Sequence, residues 1–283
     1  MGDRNWNLED ARIIRLPGDG EDAFYIADFI SQDEEERLLQ KIAAAPLPTW
    51  KHLSHRRLQT HPSPLTNNNT LLASPLPSWL VSPVITPHFD HLALFAGSPH
   101  KAPNHVLINE YTPGQGIMPH EDGTAYYPLV ATVSLGGNIV LDLYEKRKEE
   151  KDEDETGNNE LSGELAAAPA AAAAMMEVEA GDGVGSVGSV GSGGRLPKYR
   201  ILQERRSLLV TRNSIYRDYL HGIAERDRDE GLDPDSICNW DLLRDPGRFG
   251  GGVNVRETRI SLTYRDVLKV ANLGNTMKFL NKR

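Results

Sequence analysis

The chain has 283 residues, a formal net charge of −9 and a single cysteine, Cys238. One cysteine excludes an internal disulfide and fits a reducing compartment. No stretch approaches the ~20 apolar residues of a membrane span, and the first residues lack a signal-peptide pattern, so a cytoplasmic or nuclear protein without a membrane partner is expected.

In chain order, residues 24–30 read as a strand. Ser31 and Glu34 then have the spacing of a capping box, and residues 37–42 continue as an amphipathic helix ending before Pro46. The Pro- and Asn-rich stretch 46–78 reads as loops. A second helix is predicted within 78–97, with Thr86-Pro87 as N-cap and first helical residue. Strands are predicted at 104–111, 118–122, 129–135, 138–145, 206–211 and 256–264, a jelly-roll-like series of short strands behind two helices.

Between Tyr144 and Tyr199 the composition breaks into a charge run, an alanine tract and a Gly/Ser/Val repeat. Such a segment cannot build a core, so 146–197 is predicted to be a disordered low-complexity insertion. Residues 146–194 hold eleven acidic and four basic residues, a net of −7, which leaves −2 for the rest. The folded part is near neutral. That balance excludes a strongly basic nucleic-acid binder and permits a modest basic patch.

The chemistry-bearing residues begin with His120-Glu121-Asp122. On a strand, residues i and i+2 share a face, so His120 and Asp122 aim together. A distant histidine, His221, completes a set of two imidazoles and one carboxylate, which holds iron on one face and leaves the other open. His88-Phe89-Asp90 repeats the triplet but falls on the predicted helix, where i and i+2 diverge; His88, Asp90 and His91 are therefore expected on a helix surface.

Arg259 to Arg265 is an alternating strand. Arg259, Ser261, Thr263 and Arg265 face one way and Ile260, Leu262 and Tyr264 the other. The two arginine Cα atoms lie roughly 20 Å apart at about 3.3 Å per residue, so inward-leaning side chains leave a gap suited to a five-carbon diacid. Arg200, Arg206 and Arg212 share the spacing but not the position after the last candidate ligand. Asn109 and Tyr111 form a second i, i+2 pair.

The order H-x-D, His, R-x5-R, together with Asn109-Glu-Tyr-Thr-Pro-Gly114 and Met118-Pro-His-Glu-Asp-Gly-Thr-Ala-Tyr-Tyr-Pro128, resembles the AlkB family of Fe(II)/2-oxoglutarate dioxygenases. The resemblance covers 1–145 and 198–283 and implies a mainly β (α+β) fold. That fold is a double-stranded β-helix, a distorted jelly roll with flanking N-terminal helices. Residues 1–100 would supply helices and a substrate lid, and 101–145 with 198–283 the β-helix core. The resemblance implies Fe(II) on His120, Asp122 and His221, with 2-oxoglutarate and O2 as co-substrates. Arg259 and Tyr111 would hold the distal carboxylate, and Arg265 and Asn109 would lie nearer the metal. Ser261 stands where the bacterial pattern has Asn.

In the lid, Lys51, Arg56 and Arg57 are candidates for phosphates and Trp50 for stacking on a base. Tyr126 is a candidate pocket wall. The expected activity is oxidative demethylation of an N-alkylated RNA or DNA, bound weakly and salt-sensitively by a monomer. A protein demethylase or hydroxylase, and a non-catalytic nucleic-acid-binding protein, are the alternatives.

Overall fold

Two antiparallel sheets face one another across a cavity. The computed structural model describes residues 6, 8, 10–15, 21–146 and 196–271. Its strands in chain order are β1 (Arg12–Arg15), β2 (Glu21–Ile26), β3 (Lys51–Leu53), β4 (Arg56–His61), β5 (Thr70–Leu72), β6 (His105–Tyr111), β7 (Ile117–His120) and β8 (Leu129–Gly136). They continue as β9 (Ile139–Glu145), β10 (Tyr199–Gln203), β11 (Leu208–Arg212), β12 (Tyr219–Ile223), β13 (Arg228–Glu230), β14 (Val253–Val255), β15 (Arg259–Arg265) and β16 (Lys269–Ala271). The large sheet runs β1-β2-β11-β8-β15-β6-β4-β3 and the small one β10-β9-β12-β7. Two antiparallel sheets face to face, with side chains of both lining the cavity, make the expected double-stranded β-helix.

Period-2 alternation decides what each face of the large sheet does. Ile260, Leu262 and Tyr264 of β15, with Val133 and Leu135 of β8 and Val106 and Ile108 of β6, pack into the main core with Leu38, Ile42, Leu80 and Phe89. The opposite face presents Arg259, Ser261, Thr263 and Arg265 to the cavity. The same backbone pattern thus closes the core and builds the site.

Helix α1 (Gln32–Ala43) starts at the predicted capping box: Ser31 Oγ accepts from the Glu34 amide at 3.2 Å, and Glu34 Oε2 from the Ser31 amide at 2.7 Å. Such a cap contributes about 1 kcal/mol. One turn on, Glu35 is fully buried and accepts from the Gly136 amide at 2.9 Å and from Arg205 Nη2 at 2.7 Å. It pins α1 to the connection between β8 and β9.

Three expectations need correction. Residues 46–78 are not only loops: β3, β4 and β5 lie there, and β4 pairs with β6 in the large sheet. The first 100 residues therefore supply sheet strands as well as helices. The predicted helix in 78–97 is only α2 (Ser78–Val81) and a distorted turn at Val84–Phe89, because Thr86 is extended at φ −113° and ψ 116°. An extended Thr86 is nevertheless the backbone of an N-cap, and the chain is helical again from Pro87, so Thr86 and Pro87 do start a short second turn. His88 does not sit on a helix surface; its Nε2 donates to Glu34 Oε1 at 3.1 Å and its ring packs edge-on against Trp6 and Phe29. Among elements not foreseen are β10 and a short helix, α3 (Asn213–Asp218).

The predicted insertion, 146–197, lies outside the described residues except at its edges. Those edges are adjacent, because β9 and β10 pair antiparallel with Leu143 opposite Tyr199 and Ile139 opposite Gln203.

Candidate active site

The cavity between the sheets has a volume of about 370 Å³ and is lined from both sides. His120, the last residue of β7, lies directly opposite His221 of β12, with ring centroids 4.2 Å apart. Asp122 follows two residues beyond. The ligand atoms of His120, Asp122 and His221 all lie within 4.8 Å of one another. β7 and β12 approach this closely because residue 222 is glycine: a Cβ there would stand 3.0 Å from Pro119 N and 3.2 Å from Ile117 O.

Burial tunes the three groups toward metal binding. It pushes the His120 imidazole down to about 3, with neighbouring His221 adding to the effect, and it lowers His221 as well. Both rings are therefore neutral at pH 7. Burial alone would raise the Asp122 carboxyl, but the Arg265 guanidinium outweighs it and holds the group below the usual carboxylate range. Arg265 Nη2 donates to Asp122 Oδ1. His120 Nδ1 lies 2.9 Å from the Met118 carbonyl, which fixes the proton on Nδ1 and leaves Nε2 as the donor atom for a metal. Two neutral imidazoles and one carboxylate are the donor set of a facial iron site, so Fe(II) fits these residues.

The cavity also fits a diacid. Arg259 is 2% exposed, and its Nε has no hydrogen-bond partner among the described residues. Tyr111 stands opposite Arg259 and Asn109 opposite Ser261 in the pairing of β6 with β15. All four line the cavity, with Arg265 at the end that holds the metal-ligand candidates. The structure thus brings together His120, Asp122, His221, Asn109, Tyr111, Arg259, Ser261 and Arg265.

The lid residues do not form one surface. Arg56 and Arg57 are neighbours on β4 and face opposite sides: Arg56 is buried and lines the cavity, while Arg57 grips Glu110 at 2.6 and 2.8 Å. Trp50 is 8% exposed, packs in the main core and is covered by Arg57 at 4.1 Å from its ring. The expected base-stacking face of Trp50 is therefore given to the core, and Arg57 is engaged within the sheet. Lys51 is exposed on β3. Tyr126 is buried, lines the cavity, and has the Arg265 guanidinium 5.0 Å from its ring.

Sequence reasoning missed several residues that shape the cavity. Tyr216 of α3 lines its mouth and donates to the Gly123 carbonyl at 2.6 Å, just past Asp122. Gln203 and Ser134 accept from Arg259. Each reaches its partner across the fold, and no local spacing signals it. Cys238 donates to the Arg200 carbonyl at 3.2 Å, and burial pushes its thiol up to about 12, so it is no nucleophile at neutral pH.

The family model of the 2OG-Fe(II) oxygenase superfamily matches residues 22–265. The chain is 37% identical over 263 residues to a Danio rerio protein named "Probable RNA/DNA demethylase ALKBH6", covering 92% of this chain and 90% of that one. A Xenopus tropicalis protein named "tRNA (carboxymethyluridine(34)-5-O)-methyltransferase alkbh8" is 31% identical over 42% of this chain and 19% of its own length. The solved structure of OsALKBH1 aligns with 86% of this chain and 97% of its own, at 12% identity and a TM-score of 0.44.

Proposed function

The chain belongs to the 2OG-Fe(II) oxygenase superfamily and is an AlkB-like Fe(II)/2-oxoglutarate dioxygenase, and from that premise we propose that it oxidatively demethylates an N-alkylated RNA or DNA. The observation that carries the reading is the meeting, in one cavity, of His120, Asp122 and His221 with a diacid-sized row of arginines on β15. The substrate class rests on the demethylase relative, which this chain matches over nearly its whole length.

Iron with 2-oxoglutarate and O2 supplies the oxidising power: the co-substrate leaves as succinate and CO2, and one oxygen atom enters a substrate C–H bond. The chain's own residues do the rest. His120, Asp122 and His221 hold the metal. Arg259 and Tyr111 bind the distal carboxylate. Arg265 sits at the metal end, where it also fixes the Asp122 carboxylate, and Asn109, opposite Ser261, contacts the co-substrate between the two arginines. Both arginines are buried, so water does not compete for their charge. Tyr126 and Tyr216 wall the mouth where the substrate group enters. An N-methyl group hydroxylated there leaves as formaldehyde.

Binding of the nucleic acid is weak and salt-sensitive in this reading, since Arg57 is paired with Glu110 and the chain outside 146–194 is near neutral. The protein acts as a monomer. Iron-loaded protein incubated with methylated RNA, DNA and peptide pools, with mass spectrometry of each pool, tests the substrate class. Methyl loss from a nucleic-acid pool supports the proposal; loss confined to peptides would move the assignment to a protein demethylase.

A further inference from the structure

The buried arginines around the cavity are neutralised differently. Arg265 has Asp122 and Arg256 has Asp229. Arg259 is as deeply buried, yet its partners are both neutral. Its Nη2 donates to Ser134 Oγ at 2.9 Å and to Gln203 Oε1 at 3.0 Å. The Ser134 hydroxyl in turn donates to Gln203 Oε1 at 3.3 Å, so the amide oxygen, not its NH2, must face the guanidinium. Gln203 ends β10 in the small sheet, whereas Ser134 and Arg259 belong to the large one. The contact therefore closes the floor of the cavity between the sheets.

A buried cation without a counter-charge is unfavourable. Burial, with neighbouring Arg256 adding to it, pulls the Arg259 guanidinium down to about 10. Nε has no partner. The arginine is thus held in place at one nitrogen while its charge is left for something else.

We propose that Gln203 is a positioning residue for the co-substrate: with Ser134 it orients Arg259 through neutral acceptors and so reserves the guanidinium charge for the distal carboxylate of 2-oxoglutarate. This rests on the co-substrate assignment above. A glutamate in the same place has nearly the same shape but would form a buried ion pair with Arg259. The ligand carboxylate would then meet a site already neutralised and a like charge beside it.

The test compares wild type, Gln203→Glu and Gln203→Leu, each loaded with Mn(II) to avoid oxidation. It uses titration with 2-oxoglutarate, thermal melting, and turnover of iron-loaded protein. Gln203→Glu should melt no lower than wild type without 2-oxoglutarate and bind Mn(II) normally, yet bind 2-oxoglutarate at least about tenfold more weakly. Its KM for 2-oxoglutarate should rise, with kcat at saturation within about twofold of wild type. Gln203→Leu removes the acceptor without adding a charge and should lose less affinity. Gln203→Glu binding 2-oxoglutarate as wild type does, or losing kcat instead of KM, would overturn the proposal. If Gln203→Glu fails to fold, Gln203→Leu decides: unchanged 2-oxoglutarate affinity overturns it. A wild type that binds Mn(II) but not 2-oxoglutarate would instead overturn the co-substrate assignment, and this inference with it.

Discussion

The Arg265 guanidinium donates to the Asp122 carboxylate and at the same time lies 5.0 Å from the ring of Tyr126. One side chain thereby joins the last strand of the large sheet to a metal-ligand candidate and to the cavity wall. Groups that orient a ligand typically control metal affinity by about 10–100-fold. Arg265→Met should retain the fold by circular dichroism and lose metal affinity by that factor in an Mn(II) titration. Wild-type affinity in Arg265→Met would show that the pairing does not set the Asp122 orientation.

Gly222 keeps β12 against β7 and so keeps His221 against His120. Gly222→Ala puts a Cβ onto the backbone of Pro119, which has no flexible end to move aside. The variant should bind metal more weakly by roughly tenfold or more while losing only about 1–3 kcal/mol of stability, the usual cost of overpacking. Metal titration beside a urea melt separates the two effects, and a loss of stability with unchanged metal affinity would count against the link.

Arg256 and Asp229 form an ion pair at 2.6 Å with both side chains only 2% exposed. Arg256 Nη1 also donates to the Ala224 carbonyl at 2.7 Å, tying the β13–β14 pair to the end of β12. Removing one partner strands the other as a buried charge. Asp229→Ala should therefore cost about 3–5 kcal/mol in chemical denaturation. A cost near zero would mean that water or another group replaces the carboxylate.

β9 and β10 are register neighbours on either side of the long low-complexity segment. Loop length changes stability only slowly, by about 0.6 kcal/mol per doubling. Deleting 156–194 should leave the melting temperature and metal binding close to wild type. A large drop in melting temperature would show that the segment packs on the domain.

Much of this site is legible before any coordinates. β15 announces itself because Arg, Ser and Thr alternate with Ile, Leu and Tyr, and its position after the last candidate ligand separates it from an ordinary solvated strand face. His120 and Asp122 share a strand-like spacing, and His221 follows from the order of the motif. β4 does not announce itself: Arg56-Arg-Leu-Gln-Thr-His61 has one aliphatic residue, and its place in the sheet comes from pairing with β6. That pairing also explains why Arg57 turned from a phosphate candidate into the partner of Glu110. Gln203 and Ser134 carried no signal, since their meaning depends on Arg259 arriving from another strand. The segment after Ser78 misled because a helical rhythm of apolar residues is equally served by short turns packed on a sheet.

The most direct measurement of the central claim is metal content and succinate formation in one preparation of wild type, His120→Ala, Asp122→Ala and Arg259→Ala, supplied with Fe(II), 2-oxoglutarate and O2. Wild type should hold one iron and form succinate. His120→Ala and Asp122→Ala should hold no iron and form none. Arg259→Ala should keep its iron and require far more 2-oxoglutarate, in line with roughly 2–5 kcal/mol for a buried charge contact. Full iron occupancy in Asp122→Ala, or an unchanged 2-oxoglutarate requirement in Arg259→Ala, would contradict the site described above.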